Sequence, residues 1–249
     1  MEMEITQLIA TFLIGIFASF IGAMVGSAGL VTIPFLIFLG IPPHVAIATH
    51  KFGAIGLKLG ALTKFGKADL IKKNYLLPFS IIGIVAAFLG AQILLRIDKD
   101  LLSNIVVVLL LVILPVLFVK KDIGIVHQTT SKLKQRLGYL FYFLAMVFSA
   151  FFGGGSGTIV LYVFMYFFGF TIVQASATAM IPSLVLNFIV LVIFALNGII
   201  DYAVGLTLFL GMLIGGRLGA LTAINKGNTW VKSLFALVVI VLVIKIIMK

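Results

Sequence analysis

An all-α polytopic membrane protein is the fold class this sequence predicts, and three observations carry it. Hydrophobic residues make up 63% of the 249 and charged residues 10%, with a mean hydropathy of +1.31, which leaves too little polar surface for a soluble domain. Apolar runs of membrane-spanning length follow one another, without the dyad alternation of a membrane barrel. A pattern also recurs at an offset of 129 residues, the step from Gly26 to Gly155, and it is centred on glycine-rich breaks in the longest apolar runs.

The apolar stretches cover about 5–39, 45–63, 75–95, 101–119, 137–168, 172–196, 202–224 and 229–248. The repeat divides them into two homologous four-segment units, 1–119 and 137–249, joined by a basic linker at 120–136. The offset pairs Ser27 with Ser156, Gly40 with Gly169, Ala46, Ala48 and Thr49 with Ala175, Ala177 and Thr178, and Leu89-Gly90-Ala91 with Leu218-Gly219-Ala220.

Each unit opens on a stretch, 5–39 or 137–168, too long for one span of about 20 residues and short for two. The first is interrupted by Gly22-Ala23-Met24-Val25-Gly26-Ser27-Ala28-Gly29, the second by Gly153-Gly154-Gly155-Ser156-Gly157-Thr158. A broken helix, or a pair of half-depth helices meeting at the bilayer centre, is expected at each place. Glycine permits the turn, and the freed backbone groups are tolerable only inside protein or a wet cavity.

The loops at 64–73 (Lys64, Lys67, Lys72, Lys73) and 120–136 (Lys120, Lys121, Lys132, Lys134, Arg136) are expected on the cytoplasmic side. The mixed loop at 96–100 falls outside by alternation. Loop charge does not decide between inverted and parallel repeats, since both place equal numbers of Lys and Arg inside. Segment length and the general habit of transporters favour inverted repeats, each starting with a broken or re-entrant helix. Glu2 and Glu4 ahead of the first apolar run argue against a cleaved signal peptide.

The net charge of +11 resides mainly in short loops, where the cell membrane's anionic lipids and the positive-inside rule account for it better than nucleic acid does. With no cysteine, three scattered histidines and seven scattered acids, neither a metal site, a cofactor nor an intramembrane enzyme is expected.

All seven acids lie in termini or loops, whereas Lys51, Lys58 and Arg217 lie within apolar segments and His50 adjoins Lys51. An ionisable group at membrane depth asks for a partner. With no intramembrane carboxylate, a small anionic substrate is the natural one. Lys58 and Arg217 lie near segment ends, where they can instead snorkel to the headgroups. Lys51 and Lys58, seven apart, share a helix face, and the offset places Met180 and Asn187 at their counterparts. Thr49, Gly53, Gly56 and Gly60 form another stripe, suited to close helix packing.

The candidate substrate-binding residues are therefore Lys51 and His50 for charge, and Gly26, Ser27, Gly155, Ser156 and Thr158 for backbone and hydroxyl donors at a helix N-terminus. Thr49, Thr178, Asn187 and Arg217 complete the set, with Gln92, Gln174 and Ser176 nearby as polar groups equally suited to capping or packing. These features describe a carrier; a passive anion channel and a non-transport membrane subunit are the rival classes, and the small-residue stripes would also suit a homodimer.

The glycine motifs, Pro34, the run Ala46-Ile47-Ala48-Thr49-His50-Lys51, Gly169-Phe170, Ala177-Thr178-Ala179 and Gly215-Gly216-Arg217-Leu218-Gly219-Ala220 resemble, in order and spacing, the TauE/SafE family of sulfite or sulfonate exporters. The resemblance covers nearly the whole chain. It implies export of sulfite, a sulfonate or a related organosulfur anion by alternating access. One branch of that family commonly has asparagine where His50 stands and a basic residue after the second Ala-Thr pair, where this chain has Met180-Ile181-Pro182.

Overall fold

The apolar runs fold as helices, and three of the helix starts carry a capping side chain, Glu4, Ser131 and Thr171. In the computed structural model, which describes residues 4–26, 28–97 and 123–247 (side chains to 237), α1 spans Ile5–Val25, with Glu4 and Gln7 forming a reciprocal box at its start. Short α2, Ala28–Phe38, follows the glycine break, and α3, Pro43–Phe65, starts with proline in its first turn, where a missing N–H costs nothing. A 3₁₀ turn at Lys73–Tyr75 leads into α4, Leu76–Arg96. The fourth segment, 101–119, lies outside the described residues.

The second unit repeats the order. α5 spans Lys132–Phe151 and α6 Ser156–Phe168; α7, Ile172–Leu196, is capped by Thr171 and Gln174; α8, Tyr202–Ile247, is broken at Gly227. Gln174 is thus a capping residue, and Gln92 is exposed. Among the described residues there is no strand, and five helices are long and apolar enough to cross a membrane. α5 starts within the basic linker, at Lys132 rather than 137, because Ser131 caps it by accepting the Lys134 N–H.

The breaks occur where the glycines predict them, but their arms are unequal. α1 has 21 residues and α2 has 11; α5 has 20 and α6 has 13. At 1.5 Å per residue each first arm is about 30 Å long, the length of a full span, although α5 with its basic first turns is not among the five apolar enough to cross, and only the second arm is of half depth. The pair of half-depth helices is therefore corrected to a full helix followed by a half helix.

The duplication is visible in the backbone. Left-handed residues recur at the 129-residue step: Gly26 and Gly155 (both φ 77°), Gly40 and Gly169 (φ 86° and 73°), Asp69 and Gly198 (φ 50° and 66°). Side chains repeat the relation crosswise. The Asp201 N–H donates to Thr49 Oγ1 at 3.1 Å, and the Lys72 N–H donates to Thr178 Oγ1 at 3.0 Å, so each repeat's threonine receives an amide from the other.

Packing is exchanged in the same way. The long helix α8 lies between α1 and α3, while α4 lies against α5 and α7, so each unit lends its α4-type helix to the other's bundle. Glycines allow the first bundle's approach: a Cβ on Gly53 would stand 2.7 Å from Leu208, and one on Gly56 or Gly60 would overlap the Phe209 or Leu213 carbonyl. This is the packing role of the small-residue stripe.

Large apolar residues on the outer faces are exposed at helical spacing, including Ile5, Ile9, Leu13 and Phe17 on α1 and Leu206, Leu210, Ile214 and Leu218 on α8. Such stripes suit acyl chains rather than water. α3 is the most enclosed of the five, with 72% of its 18-residue apolar window buried.

Candidate functional site

The two glycine breaks meet face to face. Gly26 ends α1 and Gly155 caps α6, each in the left-handed conformation that disfavours a side chain. A Cβ on Gly26 would stand 2.7 Å from the Thr158 amide nitrogen, and one on Gly29 would stand 3.0 Å from both the Gly153 carbonyl and His50 Nε2. Helix ends leave carbonyls without intrahelical partners, and here the opposite repeat supplies them. Thr158 Oγ1 donates to the Val25 carbonyl at 2.8 Å, and Ser176 Oγ, with one hydrogen to share, lies 2.8 Å from the Met24 carbonyl and 2.9 Å from the Ile172 carbonyl of its own helix. At the matching end of α5, Lys51 Nζ donates to the Ser149 carbonyl. One end is closed by neutral hydroxyls, the other by an ammonium.

Between the breaks lies a small cavity with an open mouth. One wall is α3, with His50, Lys51, Ala54 and Lys58; the other is α7, with Ala179, Met180, Ser183 and Asn187. These are the same four positions of the repeat; Leu57 on α3 and Ser176 on α7 also line the cavity and do not correspond. The N-terminal turns of α2 and α6 contribute Ala28, Gly29, Ser156 and Gly157, and α5 contributes Ser149. Helix N-termini carry partial positive charge and unused N–H groups, so they favour an anion alongside the two lysines. No acid is among the lining residues.

Lys51 is 1% exposed and its ammonium has three N–H donors, one of them occupied by Ser149. Lys58 lies two turns on, half-buried, and makes no hydrogen bond or ion pair with any described residue. Ser156 Oγ is 3.0 Å from both Ser149 Oγ and the Gly153 carbonyl, which ties the α6 N-terminus to the end of α5.

Of the predicted site residues, the fold gathers His50, Lys51, Gly26, Ser156 and Asn187 at the cavity. Gly155 and Thr158 stand behind it, shaping and bridging the break. Thr49 and Thr178 are fully buried in the crossed amide contacts, and Arg217 is exposed on α8, so none of the three reaches the cavity. Ser27 lies outside the described residues. Sequence reasoning assigned Lys58 as readily to the headgroups and passed over Ser149 and Ser183. The signal for Ser183 was available: Met180, Ser183 and Asn187 are spaced three and four apart, on the face that the offset maps from Lys51, Ala54 and Lys58.

The chain is similar to known proteins along nearly its whole length. A probable membrane transporter protein of Haemophilus influenzae is 30% identical over 242 residues, covering 93% of this chain and 91% of its own. A probable membrane transporter protein of Sinorhizobium, ORF9, is 26% identical over 240 residues (94% and 90%), and the Escherichia coli K12 probable membrane transporter protein YfcA is 27% identical over 242 (91% and 84%). No solved structure matches significantly. The family model for the sulfite exporter TauE/SafE matches residues 11–246, so this multi-pass membrane protein belongs to the TauE/SafE family of transporters.

Proposed function

We propose that the protein is a secondary carrier of the cell membrane that exports a small anion, most simply sulfite, a sulfonate or a related organosulfur anion, by alternating access. The observation that carries this reading is the α3 wall, where Lys51 and Lys58 face a cavity lined by no carboxylate. Two cations at membrane depth without a protein counter-ion call for an anion from outside the chain.

The exchanged packing supports the alternating part. α1, α3 and α8 form one bundle and α4, α5 and α7 another, with the cavity between α3 and α7. Rocking one bundle against the other exposes the cavity first on one side and then on the other.

An anion leaving a cell is driven by the inside-negative potential, at about 2.3 kcal/mol per charge per 100 mV. Uniport is then sufficient. The test is sulfite and sulfonate efflux from proteoliposomes under an imposed potassium diffusion potential. Saturable efflux that rises with inside-negative potential is expected. Efflux that ignores potential and follows a pH gradient would remove the uniport mechanism, and unsaturated single-channel conductance in planar bilayers would replace the carrier with a channel.

A further inference from the structure

We infer that His50 Nε2 and Asn187 Oδ1 are specificity-determining acceptors, and that the site selects anions that carry a hydrogen-bond donor of their own, a hydroxyl or an N–H beside the charged group. This rests on the proposed anion site and names the kind of anion it takes.

Counting protons at Thr32 supports an acceptor role for the histidine. Thr32 Oγ1 donates to the Ala28 carbonyl at 3.1 Å and is also 2.7 Å from His50 Nδ1. A hydroxyl has one hydrogen. Both contacts are hydrogen bonds only when that hydrogen points to Ala28 and the imidazole Nδ1–H donates to Thr32. In that arrangement Nε2 of the neutral imidazole keeps a lone pair, and it is the nitrogen that faces Gly29 at the break.

The asparagine is oriented in the same way. Its Nδ2 donates to the Ser183 carbonyl at 2.6 Å. A flipped amide would set oxygen against oxygen, so Oδ1 is the atom turned away from Ser183. The two side chains are 4% and 3% exposed and both line the cavity. No described residue hydrogen-bonds to Nε2 or Oδ1, yet neither is an enclosed atom lacking a partner, so both open into the cavity. Asn187 occupies on α7 the position of Lys58 on α3, and His50 sits beside Lys51.

The cavity therefore holds two kinds of group. Ammonium and N-terminal N–H donors meet the anion, while two buried acceptors need a donor from the ligand. A ligand that lacks one displaces the acceptors' water and leaves them unmet, a penalty that discriminates far more strongly than a missing methyl contact.

The test compares 2-hydroxyethanesulfonate with 1-propanesulfonate, which replaces the hydroxyl by a methyl of similar size, by titration calorimetry on the purified full-length protein. Tenfold or greater preference for the hydroxyl compound is expected. His50→Phe and Asn187→Leu should each shrink that ratio several-fold. Thr32→Val, which keeps the ring but releases its tautomer, should shrink it less and covers the case in which the phenylalanine variant does not fold. Equal binding of the two compounds by the parent protein overturns the acceptor role and leaves the anion site standing. Binding of neither overturns the anion site itself.

Discussion

α3 and α7 are the same helix twice, and they do different chemistry. They start at Pro43 and Ile172, one repeat apart, and each buries a threonine that takes an amide from the other unit. At the four cavity positions the two helices share, α3 carries His50, Lys51, Ala54 and Lys58, and α7 carries Ala179, Met180, Ser183 and Asn187. The frame is symmetric and the lining is not. A small asymmetric ion at a symmetric interface would have two equivalent orientations; charge on one wall and neutral polar groups on the other leave it one.

The helices also differ on their far sides. Gly53, Gly56 and Gly60 on α3 correspond to Pro182, Val185 and Ile189 on α7. Correspondingly, α3 packs on α8 far more intimately than α7 packs on α4.

Copying α7 residues into α3 breaks the comparison one position at a time. Gly60→Ile places a branched side chain against the Leu213 carbonyl, and a loss of about 3 kcal/mol in stability is expected from overpacking, read as a fall in thermal midpoint in detergent. Lys51→Met removes the buried ammonium; anion affinity should drop about 100-fold with the fold retained, since a desolvated charge contact is worth roughly 2–5 kcal/mol. Lys58→Asn removes a half-buried charge that no described residue holds, and a loss nearer tenfold is expected in the same titration. Smallest are Thr49→Val and Thr178→Val, which should each cost about 1 kcal/mol of stability and leave affinity unchanged. Equality of that last pair would sharpen the symmetry of the frame; an affinity loss in either would place threonine at the ligand.

Much of this was legible in the residues. Glycine is the residue that tolerates a left-handed turn, so the breaks at Gly26 and Gly155 announced themselves, while Gly40 and Gly169 were legible only as a pair in the repeat. Asp69, the left-handed counterpart of Gly198, did not, because aspartate has many uses. Lys51 was found because a buried charge in an apolar run is conspicuous. The threonines lie away from the cavity, and a hydroxyl that accepts an amide across the molecule looks the same in sequence as one that faces a ligand.

Composition and local pattern were enough to determine the membrane class, the duplication, the positions of the breaks and the sign of the site's charge, because each is a property of neighbouring residues or of a simple repeat. Which way each helix turns was settled only in the tertiary structure. Gly53, Gly56 and Gly60 lie about half a turn round α3 from Lys51 and Lys58, so seating the glycines on α8 swings both lysines into the cavity and away from lipid. That partner surface lies some 150 residues further along the chain, and no local window contains it.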